Sequence, residues 1–410
     1  MIARGLGPEG QGRYAFVVAT VATSVVVTSL GQFEGNVLST AGSRASGRLL
    51  MVRALLHAAT VLAVGVALLF VVDHELEGRA GHDAGVLIVG LVSLETAAQL
   101  VRGVNLGQHH VLSYNVATLV QRIALLSGVT ALKLVHRLVL PLVLLSWAFG
   151  TLLSVTVSSV WIWRRSTPMP LSARLIVTGW TGSFRRGLKA VITITATLFL
   201  LRLDWWMLGP MLGLRAVGQV SVATALAEWM WYVPTILGSI LFALVAADRS
   251  DAIVAKVARA SRAAVAGVAP VAVLLIAVGA ALVPAIYGAA YREAGRVFVL
   301  LVPGVGAIAV HLVVDSYFAG SGFPPVSWLG ALGALALKFG LNLVLVPRAG
   351  VEGAAMATSL AYLSLLALKL IWLRRERRIP LRELLLPHLS DVREGVAAAR
   401  LWLRVRAREA

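Results

Sequence analysis

The chain has no cysteine, so neither a disulfide nor a thiolate can hold it together or act in it. By itself that absence assigns no compartment. Charge is also scarce: Asp, Glu, Lys and Arg make up 14% of the residues, where an ordinary soluble domain carries about a quarter. Acids are outnumbered, 19 against 37 basic residues. No loop ahead of the C-terminal tail exceeds about twenty residues, so a membrane enzyme built on paired carboxylates or a metal would have little room for its site. His109 and His110 are adjacent and no acid flanks them, so no cluster has metal-ligand spacing. The first ten residues, MIARGLGPEG, contain no apolar core of the kind a cleavable signal peptide needs.

What the chain has is apolar length. Hydrophobic residues make up 59% of it, and the mean hydropathy is +0.85. Runs of about 20 apolar residues recur throughout, the length a helix needs to cross a hydrocarbon core of roughly 30 Å. The expected class is an all-α polytopic membrane protein. Spans are placed at 13–31, 49–72, 84–103, 111–132 and 138–163, then at 184–208, 216–246, 262–287, 294–320, 325–346 and 352–373. A basic, proline-containing linker, RRSTPMPLSAR, separates the two groups. The expected organisation is therefore an N-terminal lobe over 1–163, a cytoplasmic linker over 164–183, a C-terminal lobe over 184–373 and a basic cytoplasmic tail over 374–410.

Of the basic residues, 32 are arginine and five lysine. They gather in loops beside spans rather than on a nucleic-acid-binding face, which makes topology the better explanation. The tail carries ten arginines, and with it inside, the positive-inside bias is satisfied and the acidic loop DHELEGRAGHD lies outside. Eleven spans then leave the N-terminus outside. A weak internal repeat bears on that parity. LGPEGQGRYAFVVAT (6–20) resembles LGLRAVGQVSVATAL (212–226), each a glycine-containing turn followed by a span that opens on small residues. A full span precedes the second copy and none precedes the first. Two six-helix repeats, the first without its opening helix, account for both observations.

The same residues resemble a known family. ARGLGPEGQGRYAF is similar to the turn after the first helix of bacterial polysaccharide flippases of the O-antigen and capsule type. RLDWWMLGPMLGLRAVGQVSVATALAEWMWYVP resembles their seventh and eighth helices, and PAIYGAAYREAGRVFVLLVP the stretch after the ninth. The resemblance runs from residue 3 to about 373. It implies the fold of the multidrug and toxin extrusion-like superfamily: two six-helix lobes around a central cavity, moving lipid-linked oligosaccharides between leaflets. It also implies a bacterial plasma membrane location, with polysaccharide polymerase or other assembly proteins as partners beside membrane lipids.

Charges inside the spans are the candidate site. On insertion scales a mid-span Arg or Lys costs about 2.5–3.5 kcal/mol, so it should face protein or water rather than lipid. Arg122 lies mid-span and continues a face with Asn115 and Thr118. Lys338 is central in its span, with Asn342 one turn later. Arg186, Lys189, Thr193, Thr197 and Asp204 form one stripe at 100° per residue, with Arg202 on the far side beside Trp205 and Trp206. Glu95, Gln99 and Arg102 form a row; Thr224, Glu228, Tyr232, Thr235 and Ser239 another; His311 and Asp315 a third. Arg53 and His57 lie one turn apart.

Guanidinium and ammonium groups suit phosphate oxygens. Arg53, Arg122, Arg186, Lys189, Lys338 and Asn342 are therefore candidates for a polyprenyl diphosphate and its sugars, with Arg202 a further one. Glu95, Asp204, Glu228 and Asp315 are candidates for proton or sodium coupling or for gating, with no other cofactor expected. The plainer alternatives are interhelical pairs such as Arg122 with Glu95, snorkelling for Arg202, and an interfacial carboxylate for Asp204. A cation or drug exporter would want an acid-dominated cavity, and a non-transporting scaffold would tolerate an incomplete first lobe.

Overall fold

In the computed structural model the described residues are 1–33, 36, 47–76, 82–166, 173–247, 250–386 and 388; of these, 70–76, 82–84, 173–190, 243, 246, 247 and 251 are described by backbone alone. The helices are α1 (Ile2–Ser29), α2 (Gly47–Leu76), α3 (His82–Gly107), α4 (Val111–Leu134), α5 (Leu140–Arg165) and α6 (Ala173–Leu212). They continue as α7 (Leu214–Ala227), α8 (Tyr232–Ala247), α9 (Asp251–Tyr287), α10 (Arg292–Gly320), α11 (Pro325–Arg377) and α12 (Leu381–Leu385). Short 3₁₀ turns at Glu228–Trp231 and Ala289–Tyr291 join α7 to α8 and α9 to α10.

The sequence places eleven spans, whereas ten stretches of the described residues are helical, long enough and apolar enough to cross a membrane. The difference lies in α11. At 53 residues it would extend about 80 Å if straight, more than twice the hydrocarbon thickness. It turns at Gly350, which takes φ 56° and ψ −135°, a conformation that a Cβ would oppose. A Cβ on Gly353 would come within 2.2 Å of the Leu345 carbonyl oxygen, so the backbone reverses tightly there. The spans at 325–346 and 352–373 are the two arms of that hairpin. The chain is a multi-pass membrane protein.

The repeat also has a backbone signature. Gly7 takes φ 69° and ψ 177°, and Gly213, its counterpart, takes φ 85° and ψ 171°. Each ends one helical stretch and starts the next.

Packing divides the chain into two units, Met1–Trp206 and Met207–Ala410. In the first, α3 is the hub: Leu91 and Val92 meet Val21 of α1, Ala97 and Ala98 meet Ala58 of α2, and Leu100 and Val104 meet Ile162 of α5. In the second the hub is α10. Its spanning window is 78% buried, against 11% for that of α9, so α10 lies at the centre of the unit and α9 on its outside. Such contacts depend on small residues, because lipid tails are as apolar as leucine and only close packing favours association. A Cβ on Gly295 would sit 2.5 Å from the Ala280 carbonyl oxygen. Gly295→Val is expected to lower the melting temperature in detergent, with overpacking costing about 1–3 kcal/mol. Gly333→Ala, where an added Cβ meets nothing within 4 Å, should leave it unchanged or raised.

Candidate functional site

In the first unit three helices build one polar node. A Cβ on Gly150 would lie 2.7 Å from the Gln121 carbonyl oxygen, so α4 and α5 touch backbone to backbone at this level. That closeness brings the side chains of Gln121 and Thr151 together. The Glu95 Oε1 of α3 accepts from Gln121 Nε2 at 2.6 Å, Trp147 Nε1 at 2.5 Å and Thr151 Oγ1 at 2.8 Å. Its Oε2 faces Arg102 at 3.9 Å, and Arg102 Nη1 donates to Gln121 Oε1 at 2.7 Å. The acid and the arginine expose 13% and 15% of their side chains, so the node satisfies charges that hydrocarbon would penalise. Glu95 therefore pairs with Arg102 of its own helix, not with Arg122.

Arg122 follows Gln121, and one step of 100° turns it out of the node. It is exposed, as is Asn115, with half-buried Thr118 between them. Among the described residues it makes no hydrogen bond or ion pair.

The other first-unit candidates are more enclosed. Arg53 is 4% exposed; its Nη2 donates to Asn36 Oδ1 at 2.6 Å, and Asn36 Nδ2 donates to the Leu100 carbonyl at 3.3 Å. His57 Nε2 lies 2.7 Å from the Thr28 carbonyl oxygen. Both brace α2 against its neighbours. Arg186 and Lys189 lie on α6 with side chains outside the described residues. Further along that stripe Thr193 and Asp204 are buried, and Thr197 Oγ1 donates to the Thr193 carbonyl at 2.8 Å. Arg202, on the far side, stacks 4.6 Å over the Trp205 ring, while Trp206 meets Phe199 edge-on at 5.1 Å.

In the second unit the Gly350 hairpin brings Lys338 to Tyr362, the ammonium 5.3 Å from the ring centre. Lys338 and Asn342 are completely buried, and Asn342 Nδ2 lies 3.6 Å from Met207 Sδ. Asp315 of α10 is hydrogen-bonded and ion-paired with Lys369 of α11, whose ammonium also lies 5.3 Å from the Phe318 ring. His311, one turn from Asp315, is buried beside this pair. Glu228, half-buried, opens the 3₁₀ turn that interrupts its span. Such a break leaves the helical ladder without some of its bonds; at this level Trp231 Nε1 donates to the Val305 carbonyl at 3.3 Å. Thr235 and Ser239 bond back into their own helix. Sequence reading passes over Lys369, Gln121, Trp147 and Thr151. The signal for Lys369 is a lysine set deep between LLAL and LIW.

No protein-family model matches the chain, and no curated protein does. Solved structures do. A multidrug resistance MATE family transporter of the MOP superfamily, in an inward-facing conformation, superposes with TM-score 0.69 at 14% identity, over 92% of each chain. The fold is that of the MOP-superfamily transporters. Lipid II flippase MurJ in an inward closed conformation gives 0.64 at 10% identity, over 93% of this chain and 87% of that one. A MOP superfamily transporter from Pyrococcus furiosus, reported with a binding pocket of reversed polarity, gives 0.58 at 14% identity over 92% and 95%. Identities this low carry the MOP fold and nothing finer.

The Asp315–Lys369 pair makes a stability prediction. Lys369→Met strands the Asp315 carboxylate and is expected to cost about 3–5 kcal/mol, read as a large drop in melting temperature in detergent. Adding Asp315→Asn should recover much of that loss. Equal melting of the single variant and the wild type would mean that the pair does not form.

Proposed function

We propose that this chain flips a polyprenyl-diphosphate-linked oligosaccharide across the bacterial plasma membrane by alternating access, for cell-surface polysaccharide synthesis, with its tail on the cytoplasmic side. The observation that carries the reading is Arg122: an exposed cation halfway along a span, while Glu95 is occupied by Arg102. A diphosphate is the kind of anion such a guanidinium group recognises, and desolvation strengthens the contact. The α6 stripe with Arg186, Lys189 and Asp204 supplies further contacts to the diphosphate and sugars, and the prenyl chain stays in lipid. We assign the buried Arg53, Lys338 and Asn342 to holding helices together. The likeness to a lipid II flippase supports a lipid-linked substrate for this fold.

A MATE-like cation exporter is the second reading, supported by the TM-score of 0.69 to a multidrug transporter. It needs a carboxylate for the cation or the coupling proton. Glu95 and Asp315 are both ion-paired; Asp204 and Glu228 are the other two candidate acids. In the flippase the same two acids serve coupling or gating.

The test is a leaflet-accessibility assay on vesicles holding the purified protein and a labelled polyprenyl diphosphate glycan. Charge-assisted hydrogen bonds contribute about 1.5–3 kcal/mol, so Arg122→Ala should slow flipping at least about tenfold at normal expression, with Arg122→Lys intermediate. Unchanged flipping in Arg122→Ala removes the site; export of a cationic dye with no glycan movement favours the second reading. Asp204→Asn is expected to retain bound glycan but turn over slowly, and wild-type turnover would return that residue to a purely structural role.

A further inference from the structure

Beyond the transport site, the second unit has a cleft at one membrane edge. It lies between the first turns of α9 and the end of α11, and α12 closes one side of it. Its volume is about 360 Å³, and its lining includes Arg259 and Arg262 of α9, Arg377 of α11, and Ala258, Ile379 and Glu383. Three guanidinium groups therefore meet one carboxylate against an apolar wall. Two of the arginines are held in place. Arg262 Nη1 donates to the Glu383 carbonyl at 2.6 Å, which ties α12 to α9. Arg377 Nε donates to the Tyr317 hydroxyl at 2.7 Å, and its guanidinium lies 5.6 Å from that ring. The wall is firm as well, because Leu384 of α12 is completely buried in the same core as Ala258 and Leu373. Arg259 is exposed at the mouth.

We propose that this cleft binds the phosphate of an anionic membrane phospholipid. Oriented guanidinium groups match phosphate oxygens. Ala258 and Ile379 give the headgroup an apolar shoulder at the depth where the glycerol of a lipid sits. The position also fits: Arg259 and Arg262 lie at the start of the apolar stretch 262–287, and Arg377 lies just past the end of the arm 352–373, the places where headgroups meet a span. Basic pockets between spans at this level are where anionic lipids are captured. Because α12 forms part of the wall, a bound lipid clamps it to α9 and stabilises the second unit by mass action.

The experiment is native mass spectrometry of the full chain, released from detergent doped with phosphatidylglycerol or with phosphatidylcholine. Retention of phosphatidylglycerol is expected to exceed that of phosphatidylcholine; equal retention overturns the proposal whatever any variant does. Arg259→Gln with Arg377→Gln should weaken phosphatidylglycerol binding about tenfold or more, with Arg137→Gln, an exposed arginine of the first unit, unchanged. Equal weakening in Arg137→Gln, or none in the double variant once its melting shows it folded, overturns the site. Glycerol 3-phosphate, the same phosphate chemistry without acyl chains, is the third probe. Binding much weaker than the lipid's supports a membrane ligand; binding as tight replaces it with a soluble phosphate.

Discussion

The structure depends on one constraint: hydrocarbon offers no hydrogen bonds, so the chain must satisfy its own polar groups wherever it crosses. Helices do this for the backbone. The same requirement governs the side chains, and it explains why the polar residues of the spans are so often found in company. Glu95 draws three neutral donors from two other helices, Arg53 reaches Asn36, and Asp315 meets Lys369. The positions where the helices approach closest are those where a glycine removes the side chain, as at Gly150 and Gly295.

The two ion-paired acids within the spans are handled differently. Glu95 rests mainly on neutral donors, with its arginine 3.9 Å away, so its charge is spread over Gln121, Trp147 and Thr151. Asp315 depends on a directly bonded ammonium that is itself almost fully enclosed. Removing a neutral donor from the first node leaves others in place, while removing the lysine leaves the second acid without its counter-ion. The first arrangement is graded and the second is closer to all or none.

Much of this was legible in the sequence. Apolar length located the ten stretches of the described residues that are long and apolar enough to cross, and the LG turns matched in the backbone angles of Gly7 and Gly213. The row of Glu95 and Arg102 was legible too, because both lie on one helix where spacing fixes direction. What could not be read was which residue of a neighbouring helix completes a node, since that depends on how far each helix is rotated and how closely it packs. Gln121 and Arg122 show this: adjacent in sequence, one lies at the heart of the node and the other is exposed. The two arms of the Gly350 hairpin were legible as the separate spans 325–346 and 352–373. Lys369 finds its partner on another helix, which spacing along its own helix does not show.

The pairing of charges within each unit has an electrical consequence. A positive and a negative side chain that shift together carry no net charge through the field of an energised membrane, so the potential does almost no work on them. An exposed arginine halfway across is another matter: carrying one elementary charge through the whole drop is worth about 2.3 kcal/mol per 100 mV. Each pair thus adds almost nothing to the response of its bundle to voltage, whereas a bound dianion at Arg122 would reverse the sign of what the field feels there, so loaded and empty forms would respond to polarisation in opposite directions.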